Sequence, residues 1–374
     1  MALTTILSSG SGHVEHSSLA YHPQFFRPGR PDEAQALESL LAHNPSIRVF
    51  DALRGQLGEL VKALHPAQRF TAEQLEEGIA RHLGGVPAEA YGVWVYYPWA
   101  GRVVHILDEK EFIELRTSRN LYKITREERD LLARKKIGVI GLSVGQSIAV
   151  TMAMERSFGE IRLADFDALE LTNMNRIRTG LHNLGVPKVV IAAREIVEMD
   201  PFLKVVCYPE GITPDNLEDF LTRGGKLDML VDECDSVDVK IQCRVRARAL
   251  RIPMLMETSD RGLVDVERFD LEPDRPLLHG LIDGIAVSDY NSLTDAEKIP
   301  IIGAMVGLAT LSDRMKASLQ EVGKTIRTWP QLASAVALGG GIGADICRRI
   351  ALGQYHESGR YYVDLEQIIG DKSK

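Results

Sequence analysis

The chain has 374 residues, 45% of them apolar, with 44 basic against 52 acidic side chains and a formal net charge of −8. That length accommodates two or three domains with a sizeable core, and the acidic balance argues against a general nucleic-acid or anionic-membrane binder, which needs a basic face. Four cysteines, Cys207, Cys234, Cys243 and Cys347, form no CxxC pair; this argues against a zinc knuckle, a redox dithiol or a disulfide scaffold and for a cytoplasmic protein.

The first eighteen residues lack the basic start and long apolar stretch of a signal peptide and read as a frayed polar leader. "RVFDALRGQLGELVKAL" places Val49, Leu53, Leu57, Leu60, Val61 and Leu64 on one helical stripe. "TAEQLEEGIARHL" opens with a capping box from Thr71 to Gln74 and buries Leu75, Ile79 and Leu83. "GVWVYYPWAGRVVHIL" is a hairpin, two β-rich arms around a Pro-Trp-Ala-Gly turn, whose aromatic residues read as core. Residues 1–115 are therefore expected to form a small α+β module.

A second capping box, Thr125 to Glu128, begins a charged helix, after which strands and helices alternate. "KIGVIG", "EIRLADFD", "LKVVCYP", "DMLVDEC" and "IPMLME" are short strands with helical segments between them, the pattern of a doubly wound, mostly parallel Rossmann-like α/β sheet. "GLVDVERFDL" and "GRYYVDL" read as antiparallel additions, "SDRMKASLQEVGKTI" as a helix, and "WPQLASAVALGGGIGAD" as a buried helix whose small residues permit close packing. The uncharged run from Ile137 to Met154 is broken by "GLSVGQS", so strand, turn and helix are expected rather than a membrane span. Cys207 and Cys234 fall on apparent strands and Cys243 and Cys347 on helices, where each reads as a small buried hydrophobe. His182 and His279 are isolated and receive no catalytic role.

Chemistry concentrates at the carboxyl ends of these strands. In "VIGLSVGQSIA", Gly141, Ser143 and Gly145 lie between a strand and a helix start, where backbone amides can hold phosphate oxygens; a tight turn without a ligand is the simpler alternative. Asp165 ends the next strand, at the position from which an acidic residue grips ribose hydroxyls. Asp167, Asn173, Asn175, Arg176 and Arg178 follow, and Lys188 comes after Pro187 at a helix start. A cation there opposes the helix dipole, by several tenths of a kcal/mol, and an anionic ligand would compensate it. Taken together these residues read as a polyphosphate clamp. "DMLVDEC" delivers Asp235 to the same edge, where it suits Mg²⁺ beside phosphates or, alternatively, the N-cap of "VDVKIQCRVRARAL".

"GLSVG", "DFD", "NMNR", "VPK" and "DECDS" together resemble the ThiF/MoeB/HesA superfamily, the E1-like enzymes that adenylate a C-terminal carboxylate. The likeness covers residues 116–374, including "SRNLYKI" as the arm before the first strand and "LASAVALGGGIGADICRRIALG" as the late helix. It implies an E1-like adenylation domain in which Asp165 binds the ATP ribose, Asn173, Arg176 and Lys188 bind phosphate, Asp235 holds Mg²⁺, and Arg119 reaches the neighbouring subunit of a homodimer. The implied substrate is the C-terminus of a small ubiquitin-like or sulfur-carrier protein or a peptide, with residues 20–115 as a recognition module. Departures are equally specific. Ser143, Val144 and Gln146 interrupt the glycine cluster, Ile177 replaces a glutamine, the zinc-binding CxxC pairs are missing, and residues 282–328 hold no cysteine for a thioester. Neither zinc nor a covalent thioester step is expected. Two other readings remain at this point: an NAD(P)-dependent oxidoreductase, which the strand, glycine and Asp165 also fit, and a non-catalytic member that kept the fold for partner binding.

Overall fold

A computed structural model describes residues 19–285 and 293–370; the leader expected over residues 1–18, and residues 286–292 of the segment scanned for a thioester cysteine, lie outside the described residues. Two compact units are present. The first runs to Arg126 and takes in Val197–Phe202, and the second comprises Glu127–Ile196 and the chain from Leu203 onward.

In the first unit, β1 (Gln24–Phe26), β2 (Arg48–Asp51), β3 (Val93–Tyr97) and β4 (Arg102–Ile106) form a sheet in the order β1-β3-β4-β2. β3 and β4 are the antiparallel hairpin. The helices Leu53–Leu64 and Ala72–Leu83 close a core of Leu53, Leu57, Leu60, Val61, Ile79 and Leu107. Thr71 and Gln74 cap the second of these reciprocally. The stripe expected over residues 49–64 is shorter than its periodicity implied. Val49 sits on β2, in parallel register with Val103 and 50% exposed, and Leu64 at the helix end is 49% exposed. Phe50, also on β2, is exposed as well. His105 is fully buried beneath Trp94, ring centroids 4.1 Å apart, with its nitrogens facing Asp51 Oδ1 and the Tyr91 carbonyl.

The second unit is the doubly wound α/β layer. Its strands are β5 (Lys136–Ile140), β6 (Glu160–Ala164), β7 (Lys204–Tyr208), β8 (Met229–Asp232), β9 (Met254–Thr258), β10 (Leu263–Glu267) and β11 (Gly359–Tyr362). Their spatial order is β11-β10-β9-β8-β5-β6-β7, with β5 to β9 parallel and β10 and β11 antiparallel additions. The strands are short, continuous apolar runs because helices cover both faces of such sheets. From β5 the chain winds outward through β6 and β7, then returns to place β8 on β5's other side. That reversal opens a crevice above the carboxyl ends of β5 and β8, where ligands of open α/β sheets bind.

The 19-residue helix Ala333–Ala351 packs against the helix Gly145–Glu155 and against β9. Its glycines make this approach close: a Cβ at Gly340 would collide with Ser147, and one at Gly339 with the Glu257 carboxyl. Beneath the crevice, Arg244 is buried between Asp232 and Glu267, at 2.6 and 2.8 Å. His279 is not isolated: its Nε2 lies 2.9 Å from Asp265 Oδ1. The uncharged run 137–154 is strand, turn and helix as its glycines imply, and no described helix is long and apolar enough to cross a membrane.

Candidate nucleotide site

The site is built on the turn between β5 and the helix Gly145–Glu155. Gly141 has φ +83°, and a Cβ there would lie 2.5 Å from the Glu233 carbonyl carbon and 2.6 Å from the Cys234 nitrogen, so only glycine brings this turn against the end of β8. Gly141 donates its N–H to the Ala164 carbonyl and Glu233 donates to that of Ile140, which continues the sheet past its strand ends. The following helix starts at the carboxyl edge of β5, a favourable seat for an anion, although Gly145 N–H is donated to the Gly141 carbonyl and Ser147 N–H to that of Val144.

Asp165, 8% exposed, spends both oxygens on backbone: Oδ2 accepts from Leu142 N–H at 2.6 Å and Oδ1 from Asp167 N–H at 2.8 Å. Burial raises its pKa above the usual carboxylate range, while these donors and the Lys188 cation act in the opposite sense. The residue read as a ribose ligand is thus first a clamp on the glycine turn.

Arg176 is half-buried; its Nε donates to Ser143 Oγ at 3.0 Å and its Nη1 to Asn175 Oδ1 at 2.9 Å. Burial lowers the guanidinium pKa, and the Asp235 carboxylate opposes that shift. Asn175 donates to the Gln331 carbonyl, tying the loop to the segment before the long helix. Lys188 is at the helix start as expected, only 7% exposed, but its immediate partner is Asp167 Oδ2 at 2.8 Å. Asn173 turns back on its own loop, accepting from Glu170 N–H. Gln146, where a glycine was expected, directs its amide away from the turn to Glu195.

Asp235 is exposed at the crevice, and the N-cap role offered as its alternative belongs to Ser236, whose side chain accepts from Val239 N–H. Cys234 lies beyond the end of β8, not on it, and is half-buried, as is Cys207 on β7; only Cys243 and Cys347 are fully buried. Two cavities share Ser143. One of about 290 Å³ is lined by Asn175 and Arg176, the other of about 260 Å³ by Asp235 with Glu233, Lys240 and Glu257. Arg176 thus reaches the Gly141 turn through Ser143 and Asp165 through Leu142, and Asp235 borders the second cavity beside Ser143, whereas Lys188 is engaged by Asp167 and lines neither cavity, the Asn173 side chain faces its own loop, and Arg119 is an exposed residue of the first unit. Among the described residues no group of three or more His, Cys, Asp or Glu side chains is placed to hold a metal ion.

The sequence reading passed over Glu233, Glu257 and Ser259. Glu257 is 3% exposed, and neither its carboxylate oxygens nor Ser259 Oγ finds a hydrogen-bond partner. The available signal was an acid within the otherwise apolar strand "IPMLMETS".

The chain is 45% identical over 276 residues to MT1398, an uncharacterized protein of Mycobacterium tuberculosis, covering 74% of this chain and 38% of that relative. It is 27% identical over 155 residues to the tRNA threonylcarbamoyladenosine dehydratase of Bacillus subtilis (41% of this chain, 60% of the relative). With the molybdopterin-synthase adenylyltransferase of Haemophilus influenzae it shares 22% identity over 218 residues (57% and 87%). The chain thus spans less than two thirds of the first two of these relatives. Among solved structures, E. coli tRNA N6-threonylcarbamoyladenosine dehydratase, TcdA, aligns with a TM-score of 0.46 at 19% identity, covering 64% of this chain and 95% of that one. E. coli MccB with ATP aligns at 0.46 and 12%, covering 83% and 86%. The ThiF family profile matches residues 116–337, well over half of the sequence and the whole of the Gly141 crevice, and the chain belongs to the ThiF family.

Proposed function

We propose that this protein adenylates a substrate carboxylate with ATP at the crevice above Gly141. The observation that carries the reading is the Arg176 guanidinium bonded to Ser143 on a turn that only glycine can make, with the Asp235 carboxylate near enough to act on its charge. A carboxylate oxygen attacks the α-phosphorus; the new P–O bond forms as the bond to the β-phosphate oxygen breaks, and pyrophosphate leaves. The carboxylate is already ionised near neutral pH, so no protein nucleophile is required and positioning with fixed charge supplies the acceleration. The helix amides after Gly145, Arg176 and Lys188 face the phosphate charge, with Asn173 and Asn175 ordering the loop that carries Arg176. Asp165 and Asp167 keep the turn and Lys188 in place while a remaining Asp165 lone pair meets the ribose.

Mg²⁺ fits on one condition: Asp235 is a lone exposed carboxylate, so the remaining donors are phosphate oxygens and water, the usual arrangement for this ion. When bound it would neutralise phosphate charge. A nicotinamide reading leaves Arg176 and Asp235 without use. The substrate class in this reading is a small carrier protein or peptide, residues 1–115 serving its recognition and residues 116–374 the adenylation; the molybdopterin-synthase adenylyltransferase supports it and the tRNA dehydratases favour a tRNA instead. Arg119 completes the site from a second subunit of a homodimer.

Calorimetry with ATP and Mg²⁺ tests the site. Arg176→Ala and Asp235→Ala are expected to keep wild-type melting behaviour and to lose roughly tenfold or more in affinity, the scale of one charge-assisted contact. Unchanged affinity in both removes them from the site. Mixing Arg119→Ala with Asp235→Ala subunits should restore some activity if the site is shared.

A further inference from the structure

The three nitrogens of the Arg176 guanidinium are not equivalent. Nε donates to Ser143 Oγ at 3.0 Å, and Nη1 donates to Asn175 Oδ1 at 2.9 Å and weakly to the Thr172 carbonyl at 3.5 Å. Nη2 has no partner among the described residues, so its two hydrogens are the donors left for an anion. The direction of the planar group is therefore set by two side chains. Ser143 belongs to the glycine turn, and Asn175 is the residue just before the arginine. The Asn175 carboxamide has a second attachment: its Nδ2 donates to the Gln331 carbonyl at 2.8 Å, across 156 residues of sequence.

Gln331 lies in a segment that faces both cavities. With Trp329 it lines the one beside Asp235, while Ala333, Val336 and Ala337, a few residues on, line the one beside Arg176. Residues 321–330 are exposed throughout, and Leu332, at the N-cap of the helix Ala333–Ala351, contributes no side-chain cap. The Asn175 amide is the hydrogen bond that joins this leading segment to the loop carrying Arg176. Asn175 is itself exposed, so its bonds compete with water and add little to folding. What they fix is direction. One flat amide holds the guanidinium by its oxygen and the wall of the second cavity by its nitrogen, and a shift at either end is passed to the other.

We propose that Asn175 is a positioning residue that couples the direction of Arg176 to the Trp329–Gln331 wall, so that nucleotide binding and the content of the second cavity depend on each other. The coupling rests on the adenylation reading for its ligand, ATP. Because such linkage is reciprocal, ATP held by Arg176 sets the wall for the carboxylate-bearing substrate, and a substrate that moves the wall alters the grip on the phosphates.

The test is a double-mutant cycle on ATP affinity, measured by calorimetry on the full chain with Mg²⁺. Asn175→Ala should melt as wild type does and bind ATP roughly threefold to tenfold more weakly. Trp329→Ala perturbs the wall and removes no contact of Arg176. It should weaken ATP roughly threefold in the wild-type background and have no effect once Asn175 is alanine. Asn175→Asp keeps an acceptor for Arg176 and loses the donor to Gln331; it should abolish the Trp329 dependence as alanine does, whatever its own affinity. Hydrogen exchange reads the reverse direction. Saturating ATP should slow exchange at the amides of Leu332, Ala333 and Ser334 in wild type and in neither Asn175 variant. An equal effect of Trp329→Ala in both backgrounds, nil included, or protection that survives in the Asn175 variants, overturns the coupling; ATP affinity that still depends on Arg176 then leaves the nucleotide site standing. ATP affinity indifferent to Arg176→Ala, or no ATP binding at all, overturns the nucleotide site and the coupling with it.

Discussion

Replacing Asp165 by asparagine separates holding the turn from holding a nucleotide. Two backbone N–H groups, of Leu142 and Asp167, converge on the two carboxylate oxygens at 2.6 and 2.8 Å. A carboxamide offers one oxygen, so its NH₂ must confront one of these donors in a position where water has little access. Leaving a buried donor unmade costs about 1–3 kcal/mol, and the loss falls on the turn that positions Gly141. Urea unfolding of the ligand-free variant should show that loss, and hydrogen exchange at Leu142 or Asp167 should accelerate. ATP affinity should fall by a further factor, roughly tenfold for each 1.4 kcal/mol spent on reordering the turn. A residue that served only the ribose would weaken ATP while leaving the free protein untouched. Stability within about 0.5 kcal/mol of wild type, the ordinary scatter of neutral substitutions, together with unaltered exchange, would refute the clamp.

Gly141→Ala forces a side chain into a left-handed conformation, about 1–2 kcal/mol, and against the Glu233 backbone; calorimetry should find ATP binding lost, and intact binding would detach the turn from the nucleotide. The pH dependence of stability reads the buried pair Glu233 and Glu257, whose protons are shared in titration and whose acids burial holds above the usual carboxylate range. The folded pKa of Glu257, about 8, lies above the ordinary 4.5, so its stabilising contribution is complete below the unfolded pKa and is lost as pH rises through about 8, near 1.4 kcal/mol per unit across that window. Melting curves of wild type and Glu257→Gln should therefore diverge from about pH 5 to pH 8 in favour of the variant, and parallel curves would place the carboxyl in water.

Much of the second unit was legible because its strands are continuous apolar runs punctuated by glycine, and the "GLSVG" turn marks the one place where backbone must approach backbone. Asp165 follows β6 and Asp235 follows β8, on the same carboxyl edge of the sheet, which topology alone implies. Topology does not imply what each side chain touches. Lys188 meets Asp167 and Arg176 meets Ser143 through pairs 21 and 33 residues apart, a geometry that spacing does not encode. Val49 was misplaced because β2 is four residues long and takes its conformation from pairing with β4, over fifty residues later; local periodicity favoured the helix that begins just after it. Ser236 took the N-cap from Asp235 by a one-residue shift of the helix start, a difference below the resolution of pattern reading.

The glycines of the helix Ala333–Ala351 have an implication for how this protein can change. Where Gly339 meets the Glu257 carboxyl and Gly340 meets Ser147, no bulkier residue is admissible without displacing those groups, so that boundary between helix and sheet tolerates little change. The opposite boundary, from Ile302 through Met315 to Trp329, consists of side chains on short helices and a connecting segment, where size can vary one residue at a time. Selection for a different crevice, in nature or in the laboratory, therefore has this surface rather than the helix to act on.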